Sequence, residues 1–329
     1  MTKVRLISTI PTWMWNRQLP SRKHIWKNLE IYFEEDSDRY DWCVVYEGIP
    51  NSISINCKNT ILITGEPSEI KKYNSNFLKQ FDHVISSQRN IKHPSLVLTQ
   101  QSLPWMIGMK YDTTKKSFSQ INSKDYDDFK LLKPKKNKLL SAVISAKNKT
   151  PGHHQRLVFA KALKKTFKNK IDIFGIGFNT VEDKWDAIAP YKYHVAIENS
   201  SIHDYWTEKL ADAFLGGSYP IYSGCKNIYD YFPQNSLSLF DVYDINRSIN
   251  QIKDLLKMHV YEENKAEINH AKMLVLDQYN VFPMIASFIS SKKIHSQTKK
   301  VTLLPEKECV SFDVKIFNYI KTNVMKLKK

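Results

Sequence analysis

The sequence predicts an α/β protein of two domains, each a mainly parallel sheet covered by helices, with a cleft between them. Three observations predict this. The chain has 329 residues, room for two domains of about 150 residues each. Short apolar runs alternate with helix-period stretches through both halves, which is the rhythm of βαβ units. A polar, lysine-rich stretch at 117–138, ending in LLKPKKNK, separates the two series and reads as a linker. The expected division is 1–134, 135–290 and a basic tail, 291–329.

The first series opens with a strand at 3–9 (KVRLIST). Residues 22–35 carry Ile25, Trp26, Leu29, Tyr32 and Phe33, a spacing that suggests a helix. Strands are expected at 41–46 (DWCVVY) and 60–64 (TILIT), a helix at 68–80 after Pro67, and strands at 83–86 and 96–98. The second series begins at 139–145 (LLSAVIS). A polar loop with Pro151 and Gly152 leads to a helix at 155–167. Strands follow at 171–178 and 191–198, a helix at 205–215, and strands at 219–222 and 237–242. Helices at 245–257 and 262–290 complete it. In such sheets ligands bind outside the carboxyl ends of the strands, so the loops after strands carry the functional information.

Hydrophobic residues make up 42% and charged residues 25%, a globular composition. The net charge of +16 points to an anionic partner: nucleic acid, a membrane surface or a phosphorylated small molecule. Cys43, Cys57, Cys225 and Cys309 show no CxxC or zinc spacing and read as free thiols in a reducing compartment. Residues 1–11 lack the apolar centre of a signal peptide. No stretch approaches the roughly 18 apolar residues of a membrane span.

The densest chemical constellation is Glu198-Asn199-Ser200 followed by Tyr205, Thr207, Glu208 and Lys209. It joins a strong strand to a strong helix. Thr207 and Glu208 are expected in the first turn, where free N–H groups favour phosphate. Lys209 adds a positive charge, and Glu208 suits a ribose diol. The bland alternative is a capped amphipathic helix with a surface Glu-Lys pair.

The longer string from Tyr191 to Gly224, YKYHVAIENSSIHDYWTEKLADAFLGGSYPIYSG, closely resembles the signature of the α-1,3-fucosyltransferases, glycosyltransferase family 10, in its bacterial type. The Glu-Asn-Ser strand end, the Tyr-x-Thr-Glu-Lys helix start and Pro220-Ile221-Tyr222-Ser223-Gly224 carry the likeness. Ser141, Arg156, Gly175 and Asn227-Ile228 extend it through most of the second domain. In the first domain only Thr64-Gly65-Glu66 is familiar. His194, Ile197 and Cys225 depart from the family pattern.

The resemblance implies a GT-B fold, two Rossmann-like domains facing each other across a cleft, and an inverting transfer of fucose from GDP-fucose. The acceptor would be a glycan hydroxyl on an oligosaccharide or glycolipid, in surface polysaccharide or lipopolysaccharide synthesis. Another GDP-sugar is the alternative donor. No metal cofactor is implied. Arg156 and Lys209 would then neutralise the leaving diphosphate, with Glu198, Asn199, Ser200, Tyr205, Thr207 and Glu208 completing the donor site. Glu66 is the candidate general base, and Glu69 is its rival.

Other signals compete. Asp36-Ser37-Asp38 and Asp125-Tyr126-Asp127 mimic a metal-binding Asp-x-Asp, but neither follows a strong strand, so both read as solvated turns. His153-His154 lack a third ligand. Trp13 and Trp15 follow the first strand, in position for an acceptor sugar, whereas Trp26 and Trp42 look like core. Residues 291–329 hold ten lysines and three acids. From Lys315 on, Ile316, Phe317, Ile320, Val324 and Leu327 share one helical face, which suits either an anionic membrane surface or docking on the protein. A cytoplasmic protein, peripheral on the inner membrane, is therefore expected. Charge concentrated in a tail argues against a nucleic-acid partner.

Overall fold

A computed structural model describes residues 1–144, 151–175, 177–292 and 297–309. The chain forms two compact units. Unit 1 contains Met1–Ile10, Asn28–Leu98 and the described residues from Lys292 on; unit 2 contains Pro11–Lys27 and Thr99–Ser291.

Unit 1 is built on β1 (Thr2–Ser8), β2 (Leu29–Tyr32), β3 (Tyr40–Tyr46), β4 (Ile53–Ile63), β5 (His83–Ser86) and β6 (Leu96–Leu98). Their order is β2-β1-β3-β4-β5-β6, and neighbours run parallel. The order reverses between β1 and β3, which marks the switch point of a doubly wound sheet. Trp42 and the apolar residues of β3 and β4 are buried on both faces, as a covered parallel sheet requires.

Two predicted helices fail here. Residues 22–35 are extended where a helix was expected, because Leu29, Ile31 and Phe33 are buried while Glu30 and Tyr32 are half-exposed. That alternation has the period of a strand, and it overrides the looser helical spacing. Within 68–80 only Ser75–Leu78 is helical. Lys71 and Tyr73 are instead drawn to Glu47, at 3.1 and 2.7 Å.

Unit 2 contains β7 (Lys138–Val143), β8 (Ile171–Phe174), β9 (Tyr191–Ile197), β10 (Tyr219–Ser223) and β11 (Ser238–Leu239), in the order β8-β7-β9-β10-β11. All pairs are parallel. The switch point lies between β7 and β9. There Ser141 and His194 hydrogen-bond at 2.8 Å, and burial pushes the imidazole down to about 3, so it is neutral. The helix Pro151–Phe167 starts four residues before the predicted 155, with proline at the position where its missing N–H costs nothing. The predicted helix 262–290 is broken: Lys265–Asp277 ends, and Asn280 caps a new helix, Val281–Ser290.

The division between units falls at 98/99 rather than at 134. Residues ahead of position 134, part of the stretch read as a polar linker among them, are tied into unit 2. Met106 N–H donates to Asp212 at 3.0 Å, and Gly108 N–H to Asp183 at 2.8 Å. Asp125 caps the helix Tyr126–Leu131 with a reciprocal bond from Asp128 and pairs with Arg22 at 2.7 Å. Trp15 sits in the core on the short helix Thr12–Asn16, in unit 2, so it is a packing residue rather than an acceptor platform.

The region expected to be a basic tail contributes a strand. β12 (Lys299–Leu303) pairs antiparallel with the first half of β4, Leu303 facing Ile53 and Lys299 facing Cys57. This half of β4 extends beyond β5 and would be an open edge without it. Leu303 is fully buried in the core with Ile55, Leu62 and Phe77. Lys299 is spent on Asp82 at 3.0 Å. The amphipathic stretch from Lys315 lies outside the described residues. No helix among the described residues is long and apolar enough to cross a membrane. Leu303→Ala is expected to lower unfolding free energy by about 2–5 kcal/mol, measured by denaturant unfolding; a change below 1 kcal/mol would mean the strand is dispensable.

Candidate functional site

The C-terminal ends of β7 and β9 flank the switch point of unit 2, and their loops bring the predicted donor residues together. Glu198 directly follows β9 and is buried, yet it is a carboxylate. Its N–H continues the ladder to the Ser223 carbonyl at 2.9 Å. Its Oε1 accepts from the Thr207 N–H at 2.8 Å, and the Thr207 hydroxyl reaches Oε2 at 2.8 Å. Lys209 Nζ stands 3.4 Å from Oε2. Burial pushes this carboxyl up on balance, and Lys209 offsets only part of the rise.

This arrangement corrects the expectation for the helix. The helix is Glu208–Leu215, and Thr207 is its N-cap, not part of its first turn. The N–H groups of Thr207 and Lys209 are already engaged, by Glu198 and by the Thr207 hydroxyl. A phosphate therefore does not have those donors at its disposal. Lys209 bonds the Thr207 hydroxyl at 3.0 Å and Glu208 at 3.1 Å.

The group with spare capacity is Arg156, on the helix after β7. It is buried, and its Nη1 donates to Asn199 Oδ1 at 2.9 Å. Its Nε–H is buried without a partner among the described residues. Burial lowers its affinity for a proton, against the pull of Glu198 and Glu208, yet a guanidinium this basic stays charged. A buried cation with unused donors is suited to an oxyanion. Tyr205 is buried near it, and Ser200 is half-exposed in the same loop.

Two members escaped the sequence reading. Lys184 reaches Asp212 at 2.9 Å and Glu208 at 3.9 Å. Asp212 is fully buried. Burial pushes the Glu208 carboxyl up, but Lys209 and Lys184 outweigh it and hold it at about 2. Glu208 and Asp212 are four apart on one helical face; a carboxylate inside the apolar run LADAFL was the available signal. Gly224 is the third omission: a Cβ there would collide with the Tyr222 hydroxyl and lie 2.5 Å from Glu198 Cγ.

In unit 1, Glu66 follows β4 through Thr64 and Gly65. Gly65 is not needed for a left-handed turn. It makes room for Glu47, whose Oε1 would meet a Cβ at 2.6 Å and which accepts the Gly65 N–H. Glu47 itself has φ of 65°, a strained value for a side-chain-bearing residue. The Glu66 carbonyl accepts from Gln88 at 2.7 Å. Glu66 is half-buried, whereas Glu69 is exposed. Among the described residues no three His, Cys, Asp or Glu side chains are grouped to hold a metal.

Residues 133–273, the segment that holds this cluster, match the family model described as glycosyltransferase family 10 (fucosyltransferase) C-term. This segment is similar to the C-terminal domain of that family. The chain is 31% identical over 81 residues to an α-(1,3)-fucosyltransferase of Helicobacter pylori, covering 24% of this chain and 17% of that protein. It is 34% identical over 142 residues to a mouse 4-galactosyl-N-acetylglucosaminide 3-α-L-fucosyltransferase, covering 42% and 37%. These matches span less than two fifths of the relatives' length. A crystal structure of an α1,3-fucosyltransferase with GDP superposes with a TM-score of 0.50 at 17% identity, over 89% of this chain and 92% of that one. The fold is therefore GT-B-like, and within residues 133–273 the cluster stands at the strand ends where α/β sheets bind ligands.

Gly224→Ala is expected to push Glu198 off Thr207 and destabilise the protein by about 1–3 kcal/mol. Thermal unfolding beside Gly48→Ala, which meets nothing within 4 Å, checks it. Equal stability of the two variants would contradict the close-packing role.

Proposed function

We propose that the protein is an inverting glycosyltransferase that moves fucose from GDP-fucose to a hydroxyl of a glycan acceptor. The observation that carries the reading is Arg156: a buried guanidinium with an unused donor, beside Asn199 and the Glu198–Thr207–Lys209 knot, inside the family 10 segment. The family description supplies the sugar, and a structural neighbour with GDP supplies the nucleotide.

Cleavage of the donor leaves charge on a diphosphate. Arg156 takes it up through its fork, and Lys209 adds a point charge by turning from Thr207. Glu208, ionised by Lys209 and Lys184, accepts from the ribose diol. Glu198 stays with Thr207 and positions the loop. Calorimetry tests the nucleotide: GDP should bind at least about tenfold tighter than UDP, and Arg156→Ala should weaken GDP by about 1.5–3 kcal/mol, the value of hydrogen bonds to a charged group. UDP binding as tightly as GDP would overturn the donor assignment.

Glu66 is assigned the base. The acceptor oxygen must lose a proton as it attacks, and a carboxylate on unit 1, held by the Glu47–Gly65 and Gln88 bonds, suits that task. Glu66→Gln is expected to lower kcat about 100- to 10,000-fold with GDP affinity unchanged. Near-normal kcat would exclude the role and pass it to Glu69.

A further inference from the structure

The sheet of unit 2 has a second functional-looking end. A cavity of about 300 Å³ opens where the chain enters β7 and β10, and Lys133, Lys136, Lys265 and Lys272 line it with Tyr261 and Ile268; no carboxylate is among the lining residues. Lys136 precedes β7, and Gly217 of the lining precedes β10, so this is the amino-terminal edge of the sheet. The donor cluster follows the carboxyl ends. The seven residues of β9 separate the two edges by about 20 Å.

Two of these lysines are placed at a cost. Lys272 is 5% exposed, and its ammonium donates to the Leu132 carbonyl at 2.9 Å. Lys136 donates to the Gly216 carbonyl at 2.6 Å and to the Ser218 hydroxyl at 3.0 Å. These acceptors are neutral. Among the described residues none of the four lysines is in a salt bridge. An ammonium has three donors, so Lys272 keeps two and Lys136 one. Buried charges are normally paired, and here like charges converge instead. Lys265, Ile268 and Lys272 fall at spacings of three and four along the helix Lys265–Asp277, so one helical face presents them together.

We infer that unit 2 carries a second anion site, distinct from the donor cluster, in which Lys136 and Lys272 hold a phosphate group and Lys133 and Lys265 close over it. The volume exceeds what a bare halide needs, and it admits a phosphate with a small organic part against Tyr261 and Ile268. Burial lowers Lys136 to about 7 and Lys272 to about 8, each with a neighbouring lysine adding to the effect. An incoming dianion supplies the missing counter-charge and restores both ammoniums. The inference does not depend on the donor assignment.

Calorimetry with inorganic phosphate and with pyrophosphate tests it, using the full chain and the variants Lys272→Met, Lys133→Glu and Lys209→Ala. Lys272→Met keeps length and removes a buried charge, so it should fold with equal or greater stability; Lys133 is exposed, which makes its variant safe for folding. Phosphate binding should survive Lys209→Ala and weaken about tenfold or more in Lys272→Met and Lys133→Glu. No binding of either anion by the wild type would overturn the site. So would binding lost in Lys209→Ala but kept in Lys272→Met, which would place the anion in the donor cluster. Flotation with phosphatidylglycerol vesicles separates the sources. Lys272-dependent flotation together with phosphate binding supports the site on a lipid headgroup, and Lys272-dependent phosphate binding without such flotation supports it on a free phosphate.

Discussion

The buried carboxyl of Glu198 is the constraint on which the carboxyl end of the unit 2 sheet depends. Burial pushes it up on balance, and a buried carboxyl is tolerated only when its lone pairs are satisfied. Here the Thr207 N–H, the Thr207 hydroxyl and Lys209 do this. The same contacts set where the helix Glu208–Leu215 starts, how Lys209 is aimed, and why position 224 has no side chain. Strand end, loop, cap and following strand are thus one unit. Its design leaves Arg156 as the cation with donors to spare.

Unit 1 uses the same device in a simpler form. Glu47 follows β3 as Glu198 follows β9. It accepts from the Gly65 N–H, Lys71 and Tyr73, and burial raises the tyrosine further from ionisation, with Glu47 adding to it. The Thr64-Gly65-Glu66 turn is held by this carboxylate and by Gln88. In both units a buried or half-buried acid just past a parallel strand organises the loop that follows a neighbouring strand or its own.

The two edges of the unit 2 sheet differ in electrostatic character. At the carboxyl edge, Arg156, Lys184 and Lys209 are balanced by Glu198, Glu208 and Asp212. In the cavity at the amino edge, Lys136 and Lys272 meet only neutral acceptors. A balanced cluster is held together without ligand. The unbalanced one leaves its positive charge to be compensated from outside the chain.

The sequence by itself determined the α/β class, most of the strands and the family resemblance of the second half. Parallel strands buried on both faces leave unbroken apolar runs such as TILIT, and a site built from contiguous loop residues stays contiguous in the string from Tyr191 to Gly224. Tertiary structure decided what depends on partners distant in sequence. Leu29 and Ile31 became alternating strand residues because a sheet was there to receive them. Residues 99–137 joined unit 2 because Asp183 and Asp212 needed their N–H groups. Residues 299–303 became a strand because β4 outruns its neighbour. The roles of Glu47, Lys184 and the lysine cavity were invisible for the same reason. Each is defined by contacts across tens of residues or more, and local pattern carries no record of them.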